Sequence, residues 1–444
     1  MSDPSKHTYN QYLIFLMGQL ISIIGSSVVF FAVIWWITIE TESAVFISIS
    51  ATLSFLPQLI MIPIAGTLSD MWDRKKTIII SDTMQAATTF IIIMSFLIGS
   101  PNIWIVISMN SIRGIFNTFH RPAVNAIIPL MVPREKLSRL NGIRMLSTNV
   151  ITILSPGISA LLLNVLSFDQ ILWIDVITCV IALIPLILIK IPVIAKKTQD
   201  HSKSSGSGKF WKNFVEGFAT VKETPGLLIL GIWSALLNFL IIPFNVLMPY
   251  FVRFSHGGTE ANLALVVTGT QLGFILGSLI TTIKKKWNNK IRVIIYTGIL
   301  FCIGNILASI APYQQFWVIF LGRLLFGTTI SIGISMYMTI MQLAVPPEKQ
   351  GRIFSFDNFI STAISPISIL IAGPIVEQVG IVPTFVAAGI IGIVVNIGIA
   401  MTGVMKIKYS SSDVKVKENE KIADSLQNKL SLNEENPQEV PSKG

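Results

Sequence analysis

The chain has 444 residues, of which 52% are hydrophobic and only 13% charged, about half the charged share usual in soluble proteins. Its apolar residues come in runs of twenty or more, which excludes a soluble enzyme and makes lipid the solvent for most of the chain. The net charge of +10 would suit a nucleic-acid binder if the chain were soluble; in a membrane protein it reports basic loops on the cytoplasmic side, and no nucleic-acid partner is expected. Cys179 and Cys302 sit in separate apolar runs without a partner at metal-ligand spacing. A disulfide framework and a zinc module are thereby excluded, and no metal or cofactor is expected.

Apolar windows of about twenty residues predict twelve membrane-spanning helices. They lie at 12–38, 44–68, 77–99, 103–130, 142–166 and 170–191, then at 227–252, 261–283, 291–311, 315–343, 353–377 and 381–405. The first is too long for a cleaved signal peptide and lacks a small-residue cleavage pattern, so it is read as a retained span. Of the 33 Lys and Arg, 29 fall on one side of this arrangement: the N-terminus, the loops after even-numbered spans, the middle segment and the tail. Arg253 alone falls on the other side, and Arg113, Arg121 and Arg323 lie deep within predicted spans, whereas Arg144, Lys190 and Arg292 stand at span ends and are counted with the adjoining loops. Basic loops resist translocation, so both termini are expected to be cytoplasmic.

The organisation expected is an all-α integral membrane protein made of two pseudo-symmetric bundles of six helices. Residues 1–191 form the N-terminal bundle, 192–226 a cytoplasmic linker, 227–406 the C-terminal bundle and 407–444 a disordered cytoplasmic tail with six Lys and seven acids. The linker holds the flexible polar stretch His201 to Gly208, then the amphipathic run Phe210 to Phe218, suited to a membrane surface. An internal repeat supports the duplication. Val132-Pro-Arg-Glu-Lys-Leu-Ser-Arg139 after span 4 matches Val345-Pro-Pro-Glu-Lys-Gln-Gly-Arg352 after span 10 at five of eight positions, at an offset of 213. At an offset of 210, Arg113 pairs with Arg323 and Ser155-Pro156 with Ser365-Pro366. Duplicated bundles around a central path are the architecture of many secondary transporters.

Charge inside a membrane helix is costly and marks function by default, although structural pairs between helices also occur. Arg113 lies about ten residues into span 4, roughly 15 Å deep and close to the midplane. Asn110, Arg113, Asn117 and His120 recur at spacings of three, four and three, which puts them on one helix face as the lining of a wet cavity. Asp82, Asp175 and Asp357 each lie about five residues from a predicted helix end. A carboxylate whose pairing with Arg can move makes a proton switch, so Arg113 with Asp175, and Asp82 beside them, are the proton-coupling candidates. Static salt bridges or helix caps are the competing roles. Between spans 2 and 3 stands Gly66-Thr-Leu-Ser-Asp-Met-Trp-Asp-Arg-Lys-Lys76. Here Gly66 permits close helix approach, Asp70 can face a helix N-terminus and Arg74 can pair with an acid. Gly66, Asp70, Arg74 and Lys75 are therefore read as a cytoplasmic gate, with an ordinary basic loop as the alternative for the two lysines at 75 and 76.

With these residues in place the chain resembles the major facilitator superfamily, whose loop after helix 2 has the form G-x-L-x-D-x-x-G-R-K. Gly66, Leu68, Asp70, Arg74 and Lys75 match it, whereas Asp73 stands where the usual Gly would be and Met71 where an Arg is common. The wording Asp73-Arg-Lys-Lys, Ser81-Asp82, Arg113, Phe119-His120-x-Pro122-Ala-x-Asn125, Pro129-Leu-x-Val-Pro133 and Ile174-Asp175 is similar to the macrolide-efflux type of drug:proton antiporter. The resemblance covers about 12–405 and implies a proton-driven exporter gated around Asp70, with Arg113 adjusting the proton site. A departure is Ser155-Pro-Gly-Ile-Ser159, where antiporters of the family often carry G-P-x-x-G-G. Family cavities are lined mainly by helices 1, 4, 7 and 10, which implies lining by Gln19, Ser22 and Ser26, by the span 4 stripe, by Ser234, Asn238 and Asn245, and by Ser331 and Ser335.

That lining mixes rings, amides and hydroxyls with few fixed charges and so suits a large amphipathic or weakly basic organic molecule. Macrolide-like or other drugs are the implied class, with an importer or a carrier of lipids, peptides or siderophores as alternatives and a non-transporting receptor as a remote one. The expected partners are that small molecule, protons and membrane lipid, in a monomeric chain of a bacterial plasma membrane. No catalytic residues are assigned, since neither a G-x-x-x-x-G-K-[ST] phosphate loop, an H-E-x-x-H nor a G-x-S-x-G motif occurs.

Overall fold

The structure is a computed structural model and describes residues 6–99, 101–189, 191, 215–216, 218–222, 224, 226–284, 286–345 and 347–406, without the side chains of 6–7, 63–64, 66–71, 347–348, 352 and 355. Most of the segment expected as a linker, including all of 201–208 and most of 210–218, and the expected tail from 407 lie outside the described residues. The long helices are α1 (Lys6–Thr41), α2 (Ala44–Met71), α3 (Arg74–Leu97), α4 (Ile103–Met131), α5 (Leu137–Leu163), α6 (Phe168–Leu188), α7 (Leu227–Val246), α8 (Glu260–Ile283), α9 (Lys290–Ser309), α10 (Phe316–Ala344), α11 (Pro347–Val379) and α12 (Ile381–Met401). No strand occurs among the described residues.

Eleven of these helices are long and apolar enough to cross a membrane. The exception is α4, because Asn110, Arg113, Asn117, His120 and Arg121 all fall within it. It still packs between α2 and α3 like its neighbours. Helix ends are set by polar caps. Asp73 accepts from Lys76 N at 2.9 Å and starts α3, so the acid that replaces the family's usual Gly has a local job. Asn102 starts α4 through Trp104 N, and capping boxes of Ser167 with Gln170 and Thr259 with Asn262 start α6 and α8.

Three boundaries differ from expectation in ways that matter. Helix α3 begins three residues earlier and α6 two residues earlier than the apolar windows, because charged and capping residues belong to the first turn but not to the hydrocarbon. The expected span 227–252 breaks after Val246, continues as a short turn Met248–Tyr250 and closes with a π-turn over Phe251–Ser255. Pro249 withholds a backbone donor there, and a π-turn absorbs the mismatch.

Helices α1 to α6 pack on one another, α7 to α12 do likewise, and the two groups meet mainly where α2 contacts α11 and α5 contacts α8. Within the second group α8 and α10 approach so closely that a Cβ at Gly273 would strike the backbone of Leu324 and Thr328. At the end remote from the basic loops the groups share one apolar core, in which Trp35, Ile37 and Ile47 join Phe244, Phe251, Val376 and Phe385. At the basic end the cores are separate: Tyr12, Phe15, Ile127 and Leu186 in one group, Leu230, Trp233, Tyr337 and Ile353 in the other. The bundle is therefore closed at one end and parted at the other.

Polar contacts reinforce the closed end. The Glu377 carboxylate of α11 accepts from Val45 N at 3.1 Å and from the Ser43 hydroxyl, so an acid of the second group caps the N-terminus of α2 in the first. Gly373 lies against Val45 and Ser48, leaving no room for a side chain. Because Glu377 is exposed, the cap contributes about 1 kcal/mol, or roughly fivefold in the closed population. Glu377→Ala should accordingly raise about fivefold the rate at which a cysteine placed at the buried Val376 reacts with a membrane-impermeant thiol reagent; the native Cys179 and Cys302 are buried.

Candidate functional site

The parted end leads into a cavity of about 920 Å³ lined chiefly by α1 to α5, with Asn245, Met248, Leu263 and Gln271 from the second group at its closed end. Helical spacing puts the polar groups there. On α4, Asn110, Arg113, Asn117 and His120 share the cavity face; on α1, Gln19, Ser22 and Ser26 do the same; on α3, Asp82, Gln85 and Thr89 form a third stripe. Rings of Tyr12, Phe15, Phe30 and Phe55 alternate with these groups, so the surface is amphipathic throughout.

Two charge clusters lie along this cavity. In the first, Arg113 Nη2 donates to Asp175 Oδ1 at 2.8 Å and Arg113 Nη1 donates to Thr89 Oγ1 at 3.1 Å. Ser26 Oγ donates to Asp175 Oδ1 at 2.8 Å and Thr89 Oγ1 to Asp175 Oδ2 at 2.7 Å. Four helices thus converge on one carboxylate. In the second, His120 Nε2 lies 3.1 Å from Asp82 Oδ1 and 3.0 Å from Gln19 Oε1, while Gln19 Nε2 donates to Asp82 Oδ2 at 3.4 Å. Seven residues separate Arg113 from His120 on α4, so the second cluster lies about 10 Å nearer the parted end.

Both acids are deeper than expected. Asp82 and Asp175 are only 6% and 3% exposed, and the earlier starts of α3 and α6 put them about 12 Å and 10 Å inside their helices. Asp175 stands behind the cavity wall and reaches it only through Ser26, Thr89 and Arg113. Cys179 Sγ donates to the Asp82 backbone carbonyl at 3.4 Å.

The second group is built differently. Arg323, which stands at the repeat position of Arg113, is 4% exposed and meets neutral partners. Its Nε donates to Thr270 Oγ1 at 2.8 Å, Nη2 to Asn245 Oδ1 at 2.6 Å and Nη1 to Asn305 Oδ1 at 3.4 Å, and its guanidinium lies over the Phe244 and Phe326 rings. Asp357 accepts from Tyr337 Oη at 2.6 Å.

The remaining residues singled out from sequence fall as follows. Asn245 lines the cavity, whereas Asn238, Ser331 and Ser335 do not: Asn238 turns back to its own helix at Ser234 O, Ser331 bonds Ser278 between α8 and α10, and Ser335 lines a separate hollow near Trp287. A cavity lined equally by both groups is therefore not what this state presents. Arg74 donates to Ala126 O at 2.9 Å, and Lys75 Nζ donates to Ile187 O and Ile189 O, both at 2.7 Å. These two cations tie the start of α3 to α4 and α6 of the same group. Gly66 and Asp70 lie in the last turns of α2, where side chains are outside the described set. Gln58, Gln85, Thr89 and Arg144 also line the cavity and were not singled out beforehand. The spacing of Asp82, Gln85 and Thr89 on α3 carries the same signal as the α4 stripe. No group able to hold a metal occurs among the described residues.

The family model described as Major Facilitator Superfamily matches residues 15–257 and 228–431. Macrolide efflux protein A of Streptococcus pyogenes is 28% identical over 84% of this chain and 91% of its own length, and that of Enterococcus faecalis is 29% identical over 74% and 99%. A bacterial homologue of the iron transporter ferroportin, solved in an inward-facing state, superposes with a TM-score of 0.68 at 14% identity, over 88% of this chain and 98% of that one. The chain belongs to the Major Facilitator Superfamily, and its likeness within it is to the macrolide-efflux type.

The two arginines allow a direct test of how each charge is held. Arg113→Ala strands a buried carboxylate and should cost about 3 kcal/mol, whereas Arg323→Gln removes a cation whose partners are neutral and should cost less. Thermal unfolding of the detergent-solubilised variants measures both, and the expected order of melting temperatures is Arg113→Ala lowest, Arg323→Gln between it and the unsubstituted protein.

Proposed function

We propose that this multi-pass transporter is a proton-coupled exporter that takes amphipathic organic molecules, macrolide-like compounds among them, from the cytoplasmic side and releases them outside by alternating access. The observation that carries this reading is the cavity of about 920 Å³, amphipathic in lining, open at the basic end and bordered by two buried carboxylates, one paired with a guanidinium and one with an imidazole. Basic loops mark the cytoplasmic side, so the parted end faces the cell interior, and the described state is the one that loads cargo from within. A pocket of this size is large enough for a drug-sized molecule, and its wall, in which rings stand among amides and hydroxyls, fits an amphipathic one. The names of the relatives favour efflux as the direction.

Alternating access follows from the packing. The two six-helix units share one apolar core at the outer end and separate cores at the inner end. Rocking one unit on the other would exchange which end is joined, with α2 against α11 and α5 against α8 as the sliding surfaces. The outer cap at Glu377 must break for release. Proton coupling is read from the buried acids, whose charge changes cheaply couple to such a rearrangement. The proposed setting is a bacterial plasma membrane with both termini inside, and the gate role of Asp70 belongs to this reading.

Accumulation of radiolabelled erythromycin in efflux-deficient cells tests it. Cells carrying this chain should hold several-fold less label than controls, and a protonophore should remove the difference. Equal accumulation with and without the chain rules out erythromycin export; a difference that survives the protonophore rules out proton coupling. Asp70→Asn should reduce the effect about tenfold at unchanged membrane level.

A further inference from the structure

The two acids of the cavity keep different company, and the difference decides which of them can exchange a proton. Asp175 is surrounded by donors. Oδ1 receives hydrogen bonds from Arg113 and Ser26, and Oδ2 receives one from Thr89. A guanidinium does not give up its proton at any pH a cell meets. A proton arriving on Asp175 would have to break its pairing with Arg113 and leave that charge unpaired behind the cavity wall, at 4% exposure of the Asp side chain. This pair is a fixed charge element.

Among the described residues the Asp82 carboxylate has one charged or titratable side chain in contact, the His120 imidazole. Gln19 organises the contact. Its amide nitrogen points to Asp82 Oδ2 and its carbonyl to His120 Nε2, so the two ends of one amide bridge the acid and the base. His120 Nε2 then faces two acceptors, Gln19 Oε1 and Asp82 Oδ1. That nitrogen carries a hydrogen, and a proton gained by the ring sits on Nδ1. Both side chains reach the cavity, His120 with 16% and Asp82 with 8% of its side-chain surface exposed.

We infer that the coupling proton is carried by the Asp82 and His120 pair, and that the Arg113 and Asp175 pair stays ionised through the cycle as the positioning element beside it. This rests on the proton-coupled reading given above. The charge balance is simple. With neutral His120 the two clusters together hold two carboxylates and one guanidinium, a net charge of minus one; one proton taken from water onto His120 brings them to zero, and its return to water on the other side restores the deficit. The other charged or titratable groups around the pair are Arg113 and Arg121 on α4, Asp175 and Cys179 on α6, Tyr12 on α1 and Arg144 on α5. Arg113 is already committed to Asp175, and none of the remaining groups is an imidazole in contact with a carboxylate, as His120 is with Asp82. Asp175 lies within Coulombic reach of Asp82, so the fixed pair also biases the pair that titrates.

Proteoliposomes test the assignment with radiolabelled erythromycin as the probe. Two modes are compared: transport driven by an imposed pH gradient, and counterflow of labelled against unlabelled probe with no gradient. His120→Gln and Asp82→Asn should lose gradient-driven transport about tenfold or more yet keep counterflow within about threefold, since exchange needs no net proton movement. Asp82→Glu should restore the driven mode. The pH dependence of probe binding should flatten in His120→Gln and persist in Asp175→Asn. Driven transport that survives in both His120→Gln and Asp82→Asn but is lost in Asp175→Asn moves the proton to the Arg113 pair and overturns the inference alone. Loss of both modes, in Asp82→Glu as well as Asp82→Asn, makes the pair a cargo contact and also overturns it. An unsubstituted protein indifferent to the gradient removes the coupled reading itself and this inference with it.

Discussion

A charged side chain in hydrocarbon must find an opposite charge, a dipole or water, and the placing of Arg113 near the middle of α4 sets that requirement at the centre of the first helix group. The rest of the group is arranged to meet it. Helix α6 supplies Asp175, α3 supplies Thr89, and α1 supplies Ser26 to the second lone pair of the same carboxylate oxygen. The same four helices would pack by apolar contact in many registers, since lipid gives no hydrophobic drive toward one of them. A buried ion pair with three directional donors selects among those registers. It is also why α4, the one long helix without a membrane-length apolar stretch among the described residues, can stand in the membrane at all: its polar face borders the cavity and its remaining faces meet α2 and α3.

The second group answers the same demand without a carboxylate. Arg323 is surrounded by two amides, a hydroxyl and two aromatic faces, partners that stabilise a cation through dipoles and ring quadrupoles and exchange no proton. The duplicated fold has kept the cation and changed its counter-group. The consequence is a division of labour at the cavity: the acids and the imidazole that border it stand in the first group, while the second contributes close helix packing through residues such as Gly273. Of its polar contributions to the closed end of the cavity, Asn245 and Gln271, the first is held by Arg323.

Much of this was legible in the sequence because the signals were periodic. The spacing of Asn110, Arg113, Asn117 and His120 could only be one helix face, and the membrane-spanning character of the chain followed from composition alone. What escaped was whatever depended on helix ends or on partners from other helices. Apolar windows start where hydrocarbon starts, whereas α3 and α6 start a few residues earlier at Asp73 and Ser167, and that difference carried Asp82 and Asp175 from the helix margins to the interior. Arg74 donates to the Ala126 carbonyl of α4, a backbone acceptor that no pattern of side chains in the sequence announces. Asn238, Ser331 and Ser335 carry the right residue types on helices expected to line the cavity, yet the first two bond within their own group and Ser335 borders a separate hollow. Composition records that a side chain is polar and leaves open which neighbour it faces.

The relation between the closed end and the charge clusters follows from magnitudes. Two conformations interconvert usefully only if they differ by a few kcal/mol, so whatever holds the closed end must be weak enough for a local event to release. The closed end combines an apolar core with an exposed cap at Glu377, which contributes little because water competes for it. In the cavity the balance is reversed: Asp82 and Asp175 are almost fully buried, and one unit of charge gained or lost there is felt at low dielectric. A change of one proton deep in the first group is thus comparable with the whole difference between the joined and parted ends. Since α1 and α5 both border the cavity and also contribute to the shared core, through Trp35 and Ala160, the same helices register both events. The fold therefore needs no separate transmission element: the helices that hold the charges are the ones whose far ends meet the other group.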